Sequence, residues 1–219
     1  MLARISLGRV GHSLPTRELL AFQLAHAKAR DAVFTELECA PYLRYSTLNL
    51  HSAAPTRAIY LRRPDLGRRL ADRSQLQRGD YDAVLILADG LSATAVHRHA
   101  GPVLDALLPL LEEWKLAPII LAQQARVAIG DEIGELLGAK MSVILIGERP
   151  GLSSPDSLGA YLTWAPGVGR SDAERNCISN IREEGLKPAL AAQRIAMLMN
   201  AARSQQVTGV KMTLGILQE

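Results

Sequence analysis

The sequence predicts an α/β fold built on a doubly wound, mostly parallel sheet, and three observations carry the prediction. Short runs of valine, isoleucine and leucine recur at "VLIL" (84–87), "PIILA" (118–122) and "SVILIG" (142–147). They lack the polar alternation of a half-exposed strand, as strands covered on both faces do. Between them lie stretches with apolar residues at helical spacing, and this alternation of segment types is that of a parallel sheet wrapped by helices.

Taken in order, residues 1–45 read as a small N-terminal helical segment and 46–219 as the main domain. Pro15 and Thr16 start a helix, with Glu18 near the positive end of its dipole. Leu19, Leu20, Leu24, Ala27 and Val33 give that helix an apolar face, and "ECAPYLRYS" (38–46) breaks the pattern as a link. "YDAVLILADG" (81–90) is the first strand, introduced by the turn residues "RGD". Ser92 or Thr94 caps the next helix, which carries Val103, Leu104, Leu107, Leu108, Leu110 and Leu111. "LAPIILAQQ" (116–124) is a second strand, and "IGDEIGELLGAK" (129–140) a short helix whose early acids suit its N-terminal end. "MSVILIG" (141–147) and "AYLTWAP" (160–166) are the third and fourth strands. A long amphipathic helix follows from about Lys187 to Ser204, with Leu190, Ile195, Leu198 and Met199 on its apolar side.

In open α/β sheets ligands bind beyond the carboxyl ends of the strands. Asp89-Gly90-Leu91-Ser92, Gln123 through Val127 and Gly147 through Gly151 all follow strand ends. Parallel strands bring these three loops to one edge.

Composition excludes several functions. A net charge of +3 is too small to mark a nucleic-acid-binding surface, and aromatics at 4% leave no stacking platform for single strands. No apolar run approaches the roughly 20 residues of a membrane span, and the first residues hold no signal-peptide core. Cys39 and Cys177 form no metal-binding or redox pair. The chain reads as a soluble, cytoplasmic protein.

Catalytic signatures are missing. No dinucleotide fingerprint, Walker A loop or nucleophile elbow occurs, so no catalytic residue is assigned. His97 and His99, two apart on a helix, point in different directions, so no metal site is assigned. The densest charge, "LRRPDLGRRLADRS" (61–74), reads either as a solvated helix start capped by Asp65 or as guanidinium donors for an anionic or amide ligand. Glu148 either pairs with Arg149 or a helix end, or points over the strand edge and accepts hydrogen bonds from a ligand. Cys177 reads as an ordinary buried small residue whose backbone can still touch a ligand. A flavodoxin-like, non-enzymatic scaffold module would account for the missing motifs as well.

Several stretches together resemble the small (light) subunit of ethanolamine ammonia-lyase. They are "LGRVGHSLPTRELLAFQLAHAKARDAV", "YLRRPDLGRRL", "ADGLSATAV", "IGELLGAK", "ILIGERPGLSSPDSLGAYLTW", "DAERNCISNI" and "GVKMTLGIL", in family order over nearly the whole chain. The resemblance implies an adenosylcobalamin-dependent ammonia-lyase that converts ethanolamine to acetaldehyde and ammonia. It implies activity only in a hetero-oligomer with a large subunit that hosts the chemistry. The small subunit then supplies a Rossmann-like wall for the cofactor, either free in the cytoplasm or within a bacterial microcompartment. The family's cobalamin contacts fall on Val127 in "ARVAIGD", Glu148 in "GERPG" and Cys177 in "RNCIS". No Asp-x-His-x-x-Gly stretch is present, so the lower cobalt ligand is expected to be the cofactor's own base rather than a histidine.

Overall fold

The order of the strands follows from the length of what connects them. A computed structural model describes residue 11 and residues 13–213; His12, the start of "LGRVGHSLPT" and the end of "GVKMTLGIL" lie outside the described residues. Among the described residues six strands form one sheet: β1 (Thr47–His51), β2 (Tyr81–Ala88), β3 (Ile119–Gln123), β4 (Ala139–Gly147), β5 (Leu158–Trp164) and β6 (Arg175–Ile181). Their spatial order is β1-β3-β2-β4-β5-β6. The pairs β1/β3, β3/β2 and β2/β4 are parallel, whereas β4/β5 and β5/β6 are antiparallel.

The class is therefore α/β, but the sheet is mixed and not mostly parallel. A parallel return takes a crossover of a dozen or more residues, usually a helix. Residues 148–157 and 165–174 contain no α-helix and are shorter than such a crossover. Each folds its strand back alongside the last.

Among the described residues six α-helices accompany the sheet: α1 (Thr16–Phe34), α2 (Arg57–Arg62), α3 (Ala93–Ala95), α4 (Gly101–Leu107), α5 (Ile129–Leu137) and α6 (Pro188–Gln205). A π-turn, Val96–Ala100, joins α3 to α4. Ser92 caps α3 by accepting from the Ala95 amide at 3.3 Å, as its position suggests. Gly138 ends α5 with φ +71°, a left-handed cap that glycine adopts without strain.

Alternate residues of the central strands feed two cores. Leu85, Leu87, Val143 and Leu145 pack with Leu104 and Leu107 of α4 and Ile195 and Met199 of α6. Val84, Ile86, Ile144 and Ile146 pack on the other face with Ile129, Ile133 and Leu137 of α5. This period-two division explains why the strands read as unbroken apolar runs.

α1 departs from expectation in its packing. It starts at Thr16 as anticipated, yet Leu19, Leu20, Phe22 and Leu24 are exposed and only Ala32 is buried. Of the side chains foreseen as its inner face, Leu19, Leu20 and Leu24 are exposed, whereas Ala27 and Val33 are half-buried. Among those residues no helix is long and apolar enough to cross a membrane.

Candidate functional site

β2, β3 and β4 are parallel, so their carboxyl-terminal loops emerge on one edge, as the sequence requires. The chain leaves β2 toward β3 on one side and returns to β4 on the other. That reversal is where an open sheet usually takes its ligand. Here the crevice is closed by glycine contact. A Cβ on Gly147 would stand 2.0 Å from the Ser92 carbonyl oxygen, and one on Gly90 (φ +55°) 2.2 Å from the Gly147 carbonyl oxygen. The Leu91 amide also donates to that oxygen at 2.9 Å. Free surface is displaced sideways, onto the face that α5 shares with β5 and β6.

α5 packs against β4 and β2, while α6 covers β5 and β6 from the opposite face. On the α5 side β5 therefore presents Gly159, Tyr161 and Thr163, and β6 presents Arg175 opposite Thr163 and Cys177 opposite Tyr161. Cys177 is exposed, not buried as its type suggested, because β6 is an edge strand and this face has no helix over it. Tyr161 is half-buried against the α5 core, as is Val127 in the loop between β3 and α5. Burial, with the Cys177 and Glu148 side chains beside it, pushes the Tyr161 phenol up, so it stays a neutral donor.

Glu148 follows β4 and leans across β5. Its Oε2 accepts from the Ser157 hydroxyl and, at 3.3 Å, from the Asn180 amide. Asn180 sits at a β-bulge with φ +58°, which turns its amide toward the carboxylate. Gly159 makes the crossing possible: a Cβ there would meet Glu148 Oε1 at 2.9 Å and the Tyr161 ring at 3.2 Å. Oε1 accepts no hydrogen bond from the described residues. Of the two readings of Glu148, pairing with Arg149 is not formed, and the acid lies over the strand edge with one oxygen fixed and the other free.

The "GERPGLSSPDS" loop is itself held in place. Glu148 donates its amide to the Ser157 carbonyl at 2.9 Å, Ser92 Oγ donates to the Pro155 carbonyl at 2.9 Å, and Arg98 pairs with Asp156 at 2.7 Å. The loop between β3 and α5 is fixed from below by buried Asp89, which accepts from the Gln124 amide at 2.8 Å and the Ala125 amide at 3.0 Å. Burial raises the Asp89 carboxyl, and those amides and Arg57 oppose the rise.

The basic stretch 61–74 divides between the two readings. Asp65 caps no helix; it pairs with Arg63 at 2.6 Å. Arg73 binds the buried Glu132 carboxylate at 2.5 Å. Arg68 remains exposed and lines a concavity of about 370 Å³ together with Arg126, Val127, Arg170 and Arg175. The turn below β6 is a capping box, with the Ser171 amide donating to Glu174 at 2.8 Å and Arg170 to the same carboxylate at 2.5 Å. The Ser171 amide and then Arg170 hold the Glu174 carboxyl down at about 2. A carboxyl depressed in the fold contributes stability that is complete above its ordinary 4.5 and is lost as pH falls through about 2. Carbon-13 NMR titration of Glu174 should give a midpoint near 2; a midpoint at the ordinary 4.5 would mean that the box does not form in solution.

Glu148 and Cys177 thus flank Tyr161 on one open face, and Val127 lies in the loop before α5, packed on the same α5 core. Tyr161 and Gly159 escaped the sequence reading, and Arg126 lay in its Gln123–Val127 loop without being singled out. Period-two alternation in "RNCISNI" was the available signal, since recognising β6 would have placed Cys177 beside Tyr161.

Comparison with known proteins gives a consistent picture. A family model described as ethanolamine ammonia-lyase light chain (EutC) matches residues 1–213. The ethanolamine ammonia-lyase small subunit of Pseudomonas aeruginosa (strain UCBPP-PA14) is 56% identical, over 96% of this chain and 83% of that protein. The small subunit from Azotobacter vinelandii is also 56% identical, covering 96% and 84%. That from Xanthomonas campestris pv. campestris is 54% identical, covering 96% and 83%.

Proposed function

The chain belongs to the ethanolamine ammonia-lyase light-chain family, and from that premise we propose that it helps to bind adenosylcobalamin and assembles with a large catalytic subunit. In that assembly ethanolamine becomes acetaldehyde and ammonia, residues 46–219 form a Rossmann-like wall for the cofactor, and residues 1–45 are an appendage. What the cofactor supplies when bound is homolysis of its cobalt–carbon bond.

The observation that carries the reading is the free Oε1 of Glu148 over Gly159. A corrin carries a rim of amide side chains, which need acceptors fixed in place and a surface without bulk. The open face offers both, with Val127 and Cys177 as neutral flanks. Glu148 accepts and orients, Gly159 leaves the space, and Tyr161 backs the carboxylate with an apolar ring.

A cofactor titration of the assembled enzyme tests this. Each hydrogen bond to a charged group contributes on the order of 1.5–3 kcal/mol, so Glu148→Gln should weaken cobalamin about tenfold or more. Turnover at saturating cofactor should change far less. An unchanged affinity with a collapsed maximal rate would make Glu148 a catalytic residue and sink the proposal.

A further inference from the structure

The arginine concavity beside Val127 is not used by the reading above, and its charge is unbalanced. Arg170 is paired with Glu174 at 2.5 Å, and Arg175 with Asp131 at 2.6 Å and Asp172 at 3.4 Å. Arg68 and Arg126 have no carboxylate partner among the described residues. Four guanidinium groups against three carboxylates leave one net positive charge at the concavity.

Arg126 is held ready for a ligand. Its guanidinium carbon lies 4.3 Å above the Tyr60 ring, and Arg57 lies 4.7 Å from the centre of the same ring. Tyr60 is fully buried, and its hydroxyl donates to the Ala125 carbonyl at 2.9 Å. Gly67 closes the stack, because a Cβ there would meet the Tyr60 ring at 2.8 Å and Arg126 Cγ at 2.9 Å. The Arg126 amide donates to the Gly67 carbonyl at 2.7 Å, which ties the basic stretch to the loop of Val127. Arg126 Nε is buried with no hydrogen-bond partner. A planar guanidinium already ordered by stacking loses little freedom on binding an oxyanion, and its fork matches phosphate.

We propose that Arg68 and Arg126 form a phosphate site that takes the phosphodiester of the corrinoid's nucleotide loop. This rests on the cofactor reading above and extends it to residues that reading does not use. A phosphodiester carries a single negative charge, which is the charge the concavity lacks. The rest of a corrinoid's rim is amide, which Glu148 serves from the same face. Arg175 lines the concavity and stands on β6 two residues before Cys177, so the concavity borders the face over which Glu148 leans.

The test measures equilibrium dissociation constants of the assembled complex for cyanocobalamin and for dicyanocobinamide, a corrinoid without nucleotide or phosphate. Arg68→Gln changes an exposed side chain with no internal partner, and Arg126→Gln removes the stacked group. Each should weaken cyanocobalamin about tenfold or more and leave dicyanocobinamide unchanged. Inorganic phosphate should compete with cyanocobalamin alone, and only while Arg68 and Arg126 are present. Equal loss for both corrinoids, or for neither, overturns the proposal. Stabilisation of the complex by inorganic phosphate through Arg68, without discrimination between the corrinoids, assigns the site to a free oxyanion and also overturns it. If Glu148→Gln weakens cyanocobalamin while the arginine variants do not, the cofactor reading stands and this site falls. A wild-type complex that binds neither corrinoid overturns both.

Discussion

Asp89→Ala is expected to destabilise the protein by about 3–5 kcal/mol and to lower the unfolding temperature by roughly 10 °C. Asp89 is 1% exposed and faces Arg57, itself 8% exposed, at 3.3 Å. Removing the carboxylate leaves a buried guanidinium without its counter-charge, and breaking one partner of such a pair is far more damaging than replacing both. The Gln124 and Ala125 amides lose their acceptor in the same step. Gln124 holds φ +54°, a conformation that a side-chain-bearing residue keeps only when its surroundings impose it. Thermal and urea unfolding of the variant measure the loss. The effect should also reach the proposed cobalamin binding, because the loop that Asp89 fixes carries Arg126 and Val127. A cost below about 1 kcal/mol would mean that Arg57 finds another partner and that Asp89 does not organise this edge.

How much of this was legible in the sequence divides along physical lines. The central strands were readable because burial on both faces leaves only valine, isoleucine and leucine as suitable residues. α5 and α6 were readable from their apolar spacing. The edge strands were not. β1, "TLNLH", and β6, "RNCISNI", each have a solvated edge and carry polar residues that read as loop. Direction was also hidden, because nothing in "AYLTW" says whether β5 runs with β4 or against it; the short, helix-free connection does. That the loops after β2, β3 and β4 share one edge followed from strand ends alone, yet the glycine closure between Gly90 and Gly147 did not. It depends on a contact between residues far apart in sequence. Arg126 was invisible for the same reason, since only the fold places it over Tyr60. Glu148 was the most legible candidate, although its orientation needed Gly159 and the bulge at Asn180.

Arg175→Met should cost about 3–5 kcal/mol, and the reason differs from that at Asp89. Arg175 donates two parallel hydrogen bonds to Asp131, at 2.6 and 2.7 Å, with both side chains 2% exposed. Burial alone would lower the Arg175 guanidinium, but hydrogen bonding to Asp131 holds it above its ordinary value; burial raises the Asp131 carboxyl against the pull of Arg175. The pair survives because the fork is filled: Arg175 also donates to Thr163 Oγ1 at 3.0 Å and to the Arg170 carbonyl at 2.8 Å. Methionine keeps the bulk and leaves Asp131 charged in an apolar setting at the first turn of α5. The double variant Arg175→Met, Asp131→Leu should then recover most of the loss, since an apolar pair of similar size commonly matches a buried ion pair in stability. Urea unfolding of the two singles and the double closes the cycle, and losses that simply add would show that the pair is not a unit. Recovery of stability need not restore the ligand face, because the Arg175 bond to the Arg170 carbonyl fixes the turn that borders the arginine concavity. A double variant that folds as well as wild type but binds cyanocobalamin more weakly would separate the two roles of Arg175, one holding α5 to β6 and the other shaping the surface two residues before Cys177.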